Sequence, residues 1–340
     1  MISVAILAGL TRLAWAGLRT REIDELLWKG YAFVPLDLVP LDGSLFSEHA
    51  LPIARAIASR SDAALRLAHV HVPLDGLPID GVPLVDPQLD QESRDHERAY
   101  LEGLRAERTD ELAPTTMVVL LDGTVAAALA EEIRASRAEL VVMTTHGRSG
   151  LTRVWLGSVA ASLIHHVAVP LLLLRPHETV LLPPHPTAFR RITIPLDGSL
   201  FAEQVIDRAL GLDPARQAEY TLLQVLDPFV RLGYGDGTSV PISAEYQVTM
   251  HRQQAAQSYL ESVAQRMRAD GRQVRAQVVI EQRPAVVILR HAQEHQADLI
   301  AMATHGRSGP GRFLVGSVAD KVLRGADCPV LLYRPRELDA

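Results

Sequence analysis

The chain reads as α/β: two tandem doubly wound domains, each with a five-stranded parallel sheet flanked by helices. An internal duplication is the first observation behind that reading. Val39-Pro-Leu-Asp-Gly-Ser-Leu-Phe-Ser-Glu returns as Ile194-Pro-Leu-Asp-Gly-Ser-Leu-Phe-Ala-Glu, and Val142-Met-Thr-Thr-His-Gly-Arg-Ser-Gly returns as Ala301-Met-Ala-Thr-His-Gly-Arg-Ser-Gly. Asp42 and Asp197 are 155 positions apart, as are Val70 and Val225, whereas Asp122 and Glu281, Gly147 and Gly306, and Gly157 and Gly316 are 159 apart. A single length difference between Val70 and Asp122 therefore reconciles the two halves. The second observation is a set of short runs that are apolar throughout and alternate with helical patterns. Strands of that kind are buried on both faces of a parallel sheet.

Each half opens with a strand ending in Pro-Leu-Asp-Gly-Ser. One helix follows, with apolar residues at helical spacing: Leu45, Ala50, Ile53 and Ile57, or Leu200, Val205, Ala209 and Leu210. Ser44 and Ser199 stand at the N-cap positions of these helices. The second strand covers 65–72 or 220–226 and leads into a Pro/Gly/Asp-rich surface loop. A polar helix comes next, over 89–108 or 244–269, closed in the second half by Asp270-Gly271. The third strand is 116–121 or 274–280, the third helix 125–136 or 285–295, and the fourth strand 139–143 or 298–302. A glycine loop then opens a helix at Ser158 or Ser317, and the fifth strand is 169–174 or 330–333.

The domains are accordingly 31–176 and 189–336, joined by a linker over 177–188. Pro176, Pro183, Pro184 and Pro186 make that connection semi-rigid rather than helical. Residues 1–30 form an extension with no counterpart in the second half. Met1 to Leu18 is apolar apart from Ser3, Thr11 and Arg12, but it lacks a basic leader and is short for a bilayer span. It reads as an amphipathic extension packed on the first domain, or as the product of a start placed too far upstream. A signal peptide or membrane anchor is the lesser reading.

Composition excludes several classes of function. With 48% hydrophobic and 22% charged residues the chain has globular proportions, and a net charge of -6 offers nucleic acid no general attraction. No membrane partner is expected. Cys328 stands alone, so no intrachain disulfide can form, and a cytoplasmic setting is expected. Beside Pro329 it reads as a small buried apolar residue rather than a nucleophile. No Gly-x-x-x-x-Gly-Lys-Ser/Thr string occurs, which removes ordinary P-loop chemistry.

In an open parallel sheet, ligands settle outside the carboxyl ends of the strands where the winding reverses. The duplicated residues all fall at such ends. Pro40, Leu41 and Asp42, or Pro195, Leu196 and Asp197, finish the first strand; Val70 or Val225 finishes the second; Met143 and Thr144, or Met302 and Ala303, finish the fourth. His146, Gly147 and Arg148, or His305, Gly306 and Arg307, open the loop beyond it. Gly157, Ser158 and Val159, or Gly316, Ser317 and Val318, then start a helix whose free N–H groups and dipole favour phosphate. Gly147 allows an anion close to its backbone amide, and Arg148 lies within reach as a charge partner. Ionised Asp42 accepts only, which suits an adenine amino group or ribose hydroxyls. Taken singly, each element has a bland explanation, an Asp turn with a helix cap or a Gly-Ser cap. Their joint recurrence in two otherwise different halves favours a site.

Thr-His-Gly, nine residues, Gly-Ser, a helix and then Val-Pro-Leu-Leu-Leu or Cys-Pro-Val-Leu-Leu together resemble the universal stress protein family, over about 32–176 and 188–335. The resemblance implies a tandem member of a Rossmann-like, adenine-nucleotide-binding fold. ATP-binding members carry Gly-x-x-Gly, nine residues, Gly-Ser/Thr. Their second and third glycines correspond to Gly147 and Gly157, or Gly306 and Gly316, but their first falls on Thr144 or Ala303. The resemblance further implies ATP, with any Mg2+ carried by its phosphates. Asp42 and Asp197 would meet adenine or ribose, Val70 and Val225 the adenine, and Gly147, Arg148, Gly157, Ser158 and their second-half equivalents the phosphates. It also implies an intrachain pseudo-dimer through the last strands, with a homodimer of the whole chain left open.

His69-Val-His71 shares one strand face but has no histidine at Leu226, and no carboxylate stands at a recognisable ligand spacing, so no metal site is expected. The leading function is a nucleotide-dependent stress or signalling module with little turnover and no catalytic residues. A slow ATPase is the alternative from the enzyme class, although no duplicated carboxylate lies in the phosphate loop. An interaction protein with empty sites is a third. Valine at Gly157 and Gly316 is expected to separate these readings by blocking phosphate.

Overall fold

The computed structural model describes residues 35–73, 87–107, 115–145, 156–175, 189–228, 242–304 and 316–335. The expected N-terminal extension and the Pro-rich linker lie outside these residues. The first half runs β1 (Leu36–Leu41), α1 (Leu45–Glu48), α2 (Ala50–Ser61), β2 (Ala64–His71), α3 (Pro87–Ala106), β3 (Thr116–Asp122), α4 (Val125–Ala135), β4 (Leu140–Thr144), α5 (Ser158–His166) and β5 (Leu171–Leu174). The second runs β6 (Arg191–Pro195), α6 (Leu200–Gly211), β7 (Glu219–Leu226), α7 (Ile242–Ala269), β8 (Gln273–Ile280), α8 (Pro284–Glu294), β9 (Leu299–Ala303), α9 (Ser317–Gly325) and β10 (Val330–Tyr333).

The ten strands form a single sheet in the order β3-β2-β1-β4-β5-β10-β9-β6-β7-β8. Within each half every pairing is parallel, and the chain reverses its winding between β1 and β4, and again between β6 and β9. The halves meet through β5 and β10, which pair antiparallel with Leu172 opposite Leu331. These two strands read Leu-Leu-Leu-Leu and Val-Leu-Leu-Tyr and are buried on both faces. Neither has a polar face that could end the sheet in water, so each half covers the other's edge. Alternation along the strands then builds two core layers that cross the seam. Leu172 and Leu331 belong to one, with Val39, Leu65 and Leu222; Leu173 and Leu332 belong to the other, with Leu38, Val141 and Leu323. Each fully buried leucine contributes roughly 1.5–3 kcal/mol of transfer free energy.

The helix expected after β1 is two helices, broken at His49, whereas α6 is continuous. Pro52 explains the break: it has no N–H, and its ring crowds the carbonyl of Glu48. Asp207 holds the equivalent place in α6, where the ladder is intact. Asp270-Gly271 ends α7 as expected, with Gly271 at φ 79° and its N–H donating to Arg268 O at 2.9 Å. Strands four and nine end one residue later than expected, so Thr144 and Ala303 are strand residues, paired with Leu174 and Tyr333. Cys328 is half-buried rather than buried, and desolvation pushes its thiol up to about 12, which keeps it inert near neutrality.

Candidate functional site

Each half builds its strand exit in the same way. Gly43 and Gly198 take φ of 80° and 85°, left-handed values that a side chain would strain. The turn folds each serine back onto its aspartate. Asp42 Oδ1 accepts from Ser44 N at 3.0 Å and Ser44 Oγ at 2.6 Å, and Asp197 Oδ1 repeats both bonds with Ser199 at 3.0 and 2.6 Å. The serine oxygens accept in turn from Ser47 N and Ala202 N, each at 3.2 Å, and so cap the next helix. Asp42 and Asp197 therefore have a structural task, the turn, whatever ligand they meet.

The second conserved feature of the repeat, Gly-Ser, has a packing cause. Gly157 N donates to Thr145 O at 2.7 Å and Gly316 N to Thr304 O at 2.9 Å, while Thr145 N and Thr304 N donate to Leu174 O at 2.8 Å and Tyr333 O at 2.9 Å. This latch presses α5 and α9 onto the strand ends so closely that a Cβ at Gly157 would stand 3.0 Å from Thr145 O, and one at Gly316 only 2.4 Å from Thr304 O. The glycines are needed for close approach, not for unusual φ: both are extended, at -60° and -52°. Valine at either position disturbs the latch with or without nucleotide, so the expected discrimination by that substitution fails. Thr145 and Thr304 were legible in the repeat as a retained threonine, but only the fold gives them a role.

In the second half these parts enclose a cleft of about 260 Å³ at the carboxyl ends of β6, β7 and β9. It lies at the winding reversal, bounded by Pro195, Leu196, Asp197, Ala202, Leu223, Val225, Pro284, Ile288, Met302, Ala303, Thr304, Gly316, Ser317, Val318 and Ala319. Nine of the residues singled out by the repeat thus line one space. The sequence missed Pro284 and Ile288 of α8, which carry no repeat signal and close the cleft from the side. Ser317 and Ser158 are exposed as the first residues of α9 and α5. Asp320 lies in the first turn of α9, and Arg324 bonds both of its carboxylate oxygens, at 2.8 and 2.9 Å, answering its charge on the helix itself. Ala161 stands there in the first half.

The first-half residues Pro40, Leu41, Asp42, Val70, Met143, Thr144, Gly157, Ser158 and Val159 occupy the matching ends of β1, β2, β4 and α5. Thr144 is buried, whereas Ala303 is half-buried on the cleft wall. His146, Gly147, Arg148, His305, Gly306 and Arg307 lie outside the described residues. At the histidine pair the structure corrects the sequence: carboxylates do reach it, through α3, and both nitrogens of His71 face one, Glu97 at 2.7 Å and Asp90 at 2.9 Å. Among the described residues no cluster of histidine, cysteine and carboxylate has metal-binding geometry.

Fold and cleft define a tandem, Rossmann-like α/β protein with a cleft at the winding reversal of its second half. The universal stress protein family matches the chain twice, over 38–175 and 188–334, and the chain belongs to that family. A universal stress protein of Methanocaldococcus jannaschii is 30% identical over 149 residues, spanning 43% of this chain and 82% of its own length. A Staphylococcus aureus relative described in the same terms is 29% identical over 153 residues, 45% of this chain and 88% of its own. A universal stress protein structure from Archaeoglobus fulgidus aligns with a TM-score of 0.61 over 88% of this chain and 98% of that one, at 17% identity. One from Pseudomonas aeruginosa aligns at 0.56 over 89% and 94%, also at 17% identity. These two structures support the tandem fold. Among the described residues no helix is long and apolar enough to cross a membrane.

Proposed function

We propose that the chain binds an adenine nucleotide, ATP with its Mg2+ carried by the phosphates, in the second-half cleft and in the matching place of the first half. Occupancy would alter conformation or association within the stress response that the family supports. The observation that carries this reading is the composition of the cleft. Leu223, Val225, Met302 and Val318 supply apolar walls for a base, Asp197 an acceptor at one end, and the start of α9 donors and a positive dipole end at the other. At about 260 Å³ the cleft suits a base and sugar, with the phosphates at the mouth beside Ser317. The latch already accounts for Gly157 and Gly316, so those glycines are not part of the support.

Mass spectrometry of the small molecule retained on purification, with calorimetric titration by Mg-ATP, tests the reading. Saturable binding in the micromolar range with little phosphate release is expected. Ala303→Leu narrows the cleft without touching the latch and should remove one site of two. No heat, no retained nucleotide and no protection from thermal unfolding would overturn the proposal.

A further inference from the structure

The first half carries a chain of charged contacts whose residue types are largely replaced in the second. His71, fully buried at the end of β2, has Glu97 Oε2 2.7 Å from Nδ1 and Asp90 Oδ1 2.9 Å from Nε2. An ionised carboxylate only accepts, so when both carboxylates are charged both ring nitrogens donate and the ring is an imidazolium. Arg94 continues the chain, reaching Asp90 Oδ2 at 2.9 Å and Asp122 Oδ1 at 2.6 Å. Asp122 ends β3 and is the register partner of His71. In the other direction Glu97 Oε1 lies 3.6 Å from His69 Nε2, and His69 Nδ1 lies 2.9 Å from Leu41 O. Leu41 immediately precedes Asp42, and Val70 stands between the two histidines. The network thus ties α3 to the ends of β1, β2 and β3 and flanks Leu41 and Val70, the first-half counterparts of the cleft residues Leu196 and Val225. In the second half Gln224, Leu226, Thr249, Gln253 and Ala256 replace His69, His71, Asp90, Arg94 and Glu97; only Asp122 has an ionisable equivalent, Glu281.

We infer that protonation of this His71-centred network holds α3 and the ends of β1, β2 and β3 together, so that the first half loosens as pH rises while the second does not. The inference takes the ends of β1 and β2 as part of a ligand site from the reading above. Burial by itself would lower the pKa of His71, but the hydrogen bonds to Asp90 and Glu97 outweigh it and leave the ring above the ordinary 6.5. A group raised in this way stabilises the fold fully below its unfolded value and loses that contribution as pH climbs through the folded one. The hydrogen bond with His71 comes first among the causes that hold Asp90 below the usual carboxylate range, and that with Arg94 does the same for Asp122. Both carboxylates stay charged throughout. On the far side of His69, Tyr100 stands edge-on to the ring and donates to Glu48 at 2.9 Å. The second half's buried His291 titrates near 4, pushed down by desolvation and then by His295, and stays neutral over the alkaline range.

Hydrogen–deuterium exchange of the full chain between pH 6 and 9, corrected for intrinsic rates, tests the inference. Protection of the β2 end and α3 should fall about tenfold, with a midpoint above 6.5, while β7 and α7 hold theirs. Glu97→Gln removes one of the two charges on His71 and should move that midpoint down. Titration with Mg-ATP across the same range should show one of two sites weakening in step. Parallel profiles in the two halves, or an unmoved midpoint in Glu97→Gln, overturn the inference; the wild-type profiles decide alone if that variant does not fold. Absence of ATP binding at every pH, with the one-sided exchange profile intact, supports the network's role and overturns the nucleotide reading instead.

Discussion

The two halves of this chain share a backbone plan and differ in how they hold it. At the ends of β2 and β7 one half uses charge, the other apolar packing: His71 stands among Asp90, Glu97 and Arg94, while Leu226 occupies the equivalent place in β7. At the start of the first strand the contrast recurs. Asp37 is buried where the second half has Ile192, its Oδ2 lacks a hydrogen-bond partner among the described residues, and desolvation, with Glu139 adding repulsion, pushes its pKa up to about 7. The second half places its own buried ion pair elsewhere, Arg272 with Asp213 at 3.1 Å, where Asp213 also accepts from Ala218 N and Tyr220 OH. A duplicated fold therefore preserves the strand-exit turns and the latches while leaving the supporting electrostatics free to diverge. Stability and ligand response need not be equal in the halves.

The largest effect that sharpens this comparison comes from the latch. Gly316→Ala places a Cβ 2.4 Å from Thr304 O, backbone that cannot swing aside, whereas Gly157→Ala meets Thr145 O at 3.0 Å. Denaturant unfolding should show a loss of about 3 kcal/mol or more for the first and about 1 kcal/mol for the second. Equal losses would mean that the halves close their latches alike.

Next in size is Asp37→Ile, which copies the second half into the first. A buried acid with a raised pKa is tolerated at low pH, costs stability as pH climbs above its ordinary value of 3.8, and reaches the full cost once pH passes its folded value of about 7. The variant should gain roughly 3 kcal/mol at pH 8, and the gain should shrink as pH falls below about 7. A pH-independent difference would show that the side chain's shape, not its charge, is what differs between the halves.

The smallest effect concerns the caps. Ser199→Ala removes the cap of the twelve-residue α6, whereas Ser44→Ala uncaps only the four-residue α1 ahead of the Pro52 break. Thermal unfolding should register about 1 kcal/mol for the first and less for the second. The reverse order would indicate that α1 carries more of the first half's stability than its length suggests.

Much of this was legible in the sequence, because it rests on local or repeated signals. The strands announce themselves as apolar runs, the Asp-Gly-Ser turns by a glycine whose left-handed φ admits little else, and the caps by serine at the helix start. Pro52 is an equally local signal for the break between α1 and α2, but the apolar spacing across Leu45, Ala50 and Ile53 reads as one helix and hides it. The retained pairs Asp42 and Asp197, Val70 and Val225, and Gly157 and Gly316 marked the strand ends where the cleft forms.

What the sequence by itself determined, then, is the duplication, the α/β class, the order of elements and nine of the positions that line the second-half cleft. Chain periodicity and steric preference act over a few residues and survive without tertiary context. The tertiary structure alone decided which partners meet across long separations. It set the antiparallel register of β5 on β10, a pairing the family resemblance implies, placed Pro284 and Ile288 in one cleft with Asp197, revealed Gly316 as a close-packed latch, and brought Asp90 and Glu97 to both nitrogens of His71. Such contacts depend on how helices dock on the sheet, a global packing choice that no spacing along the chain encodes.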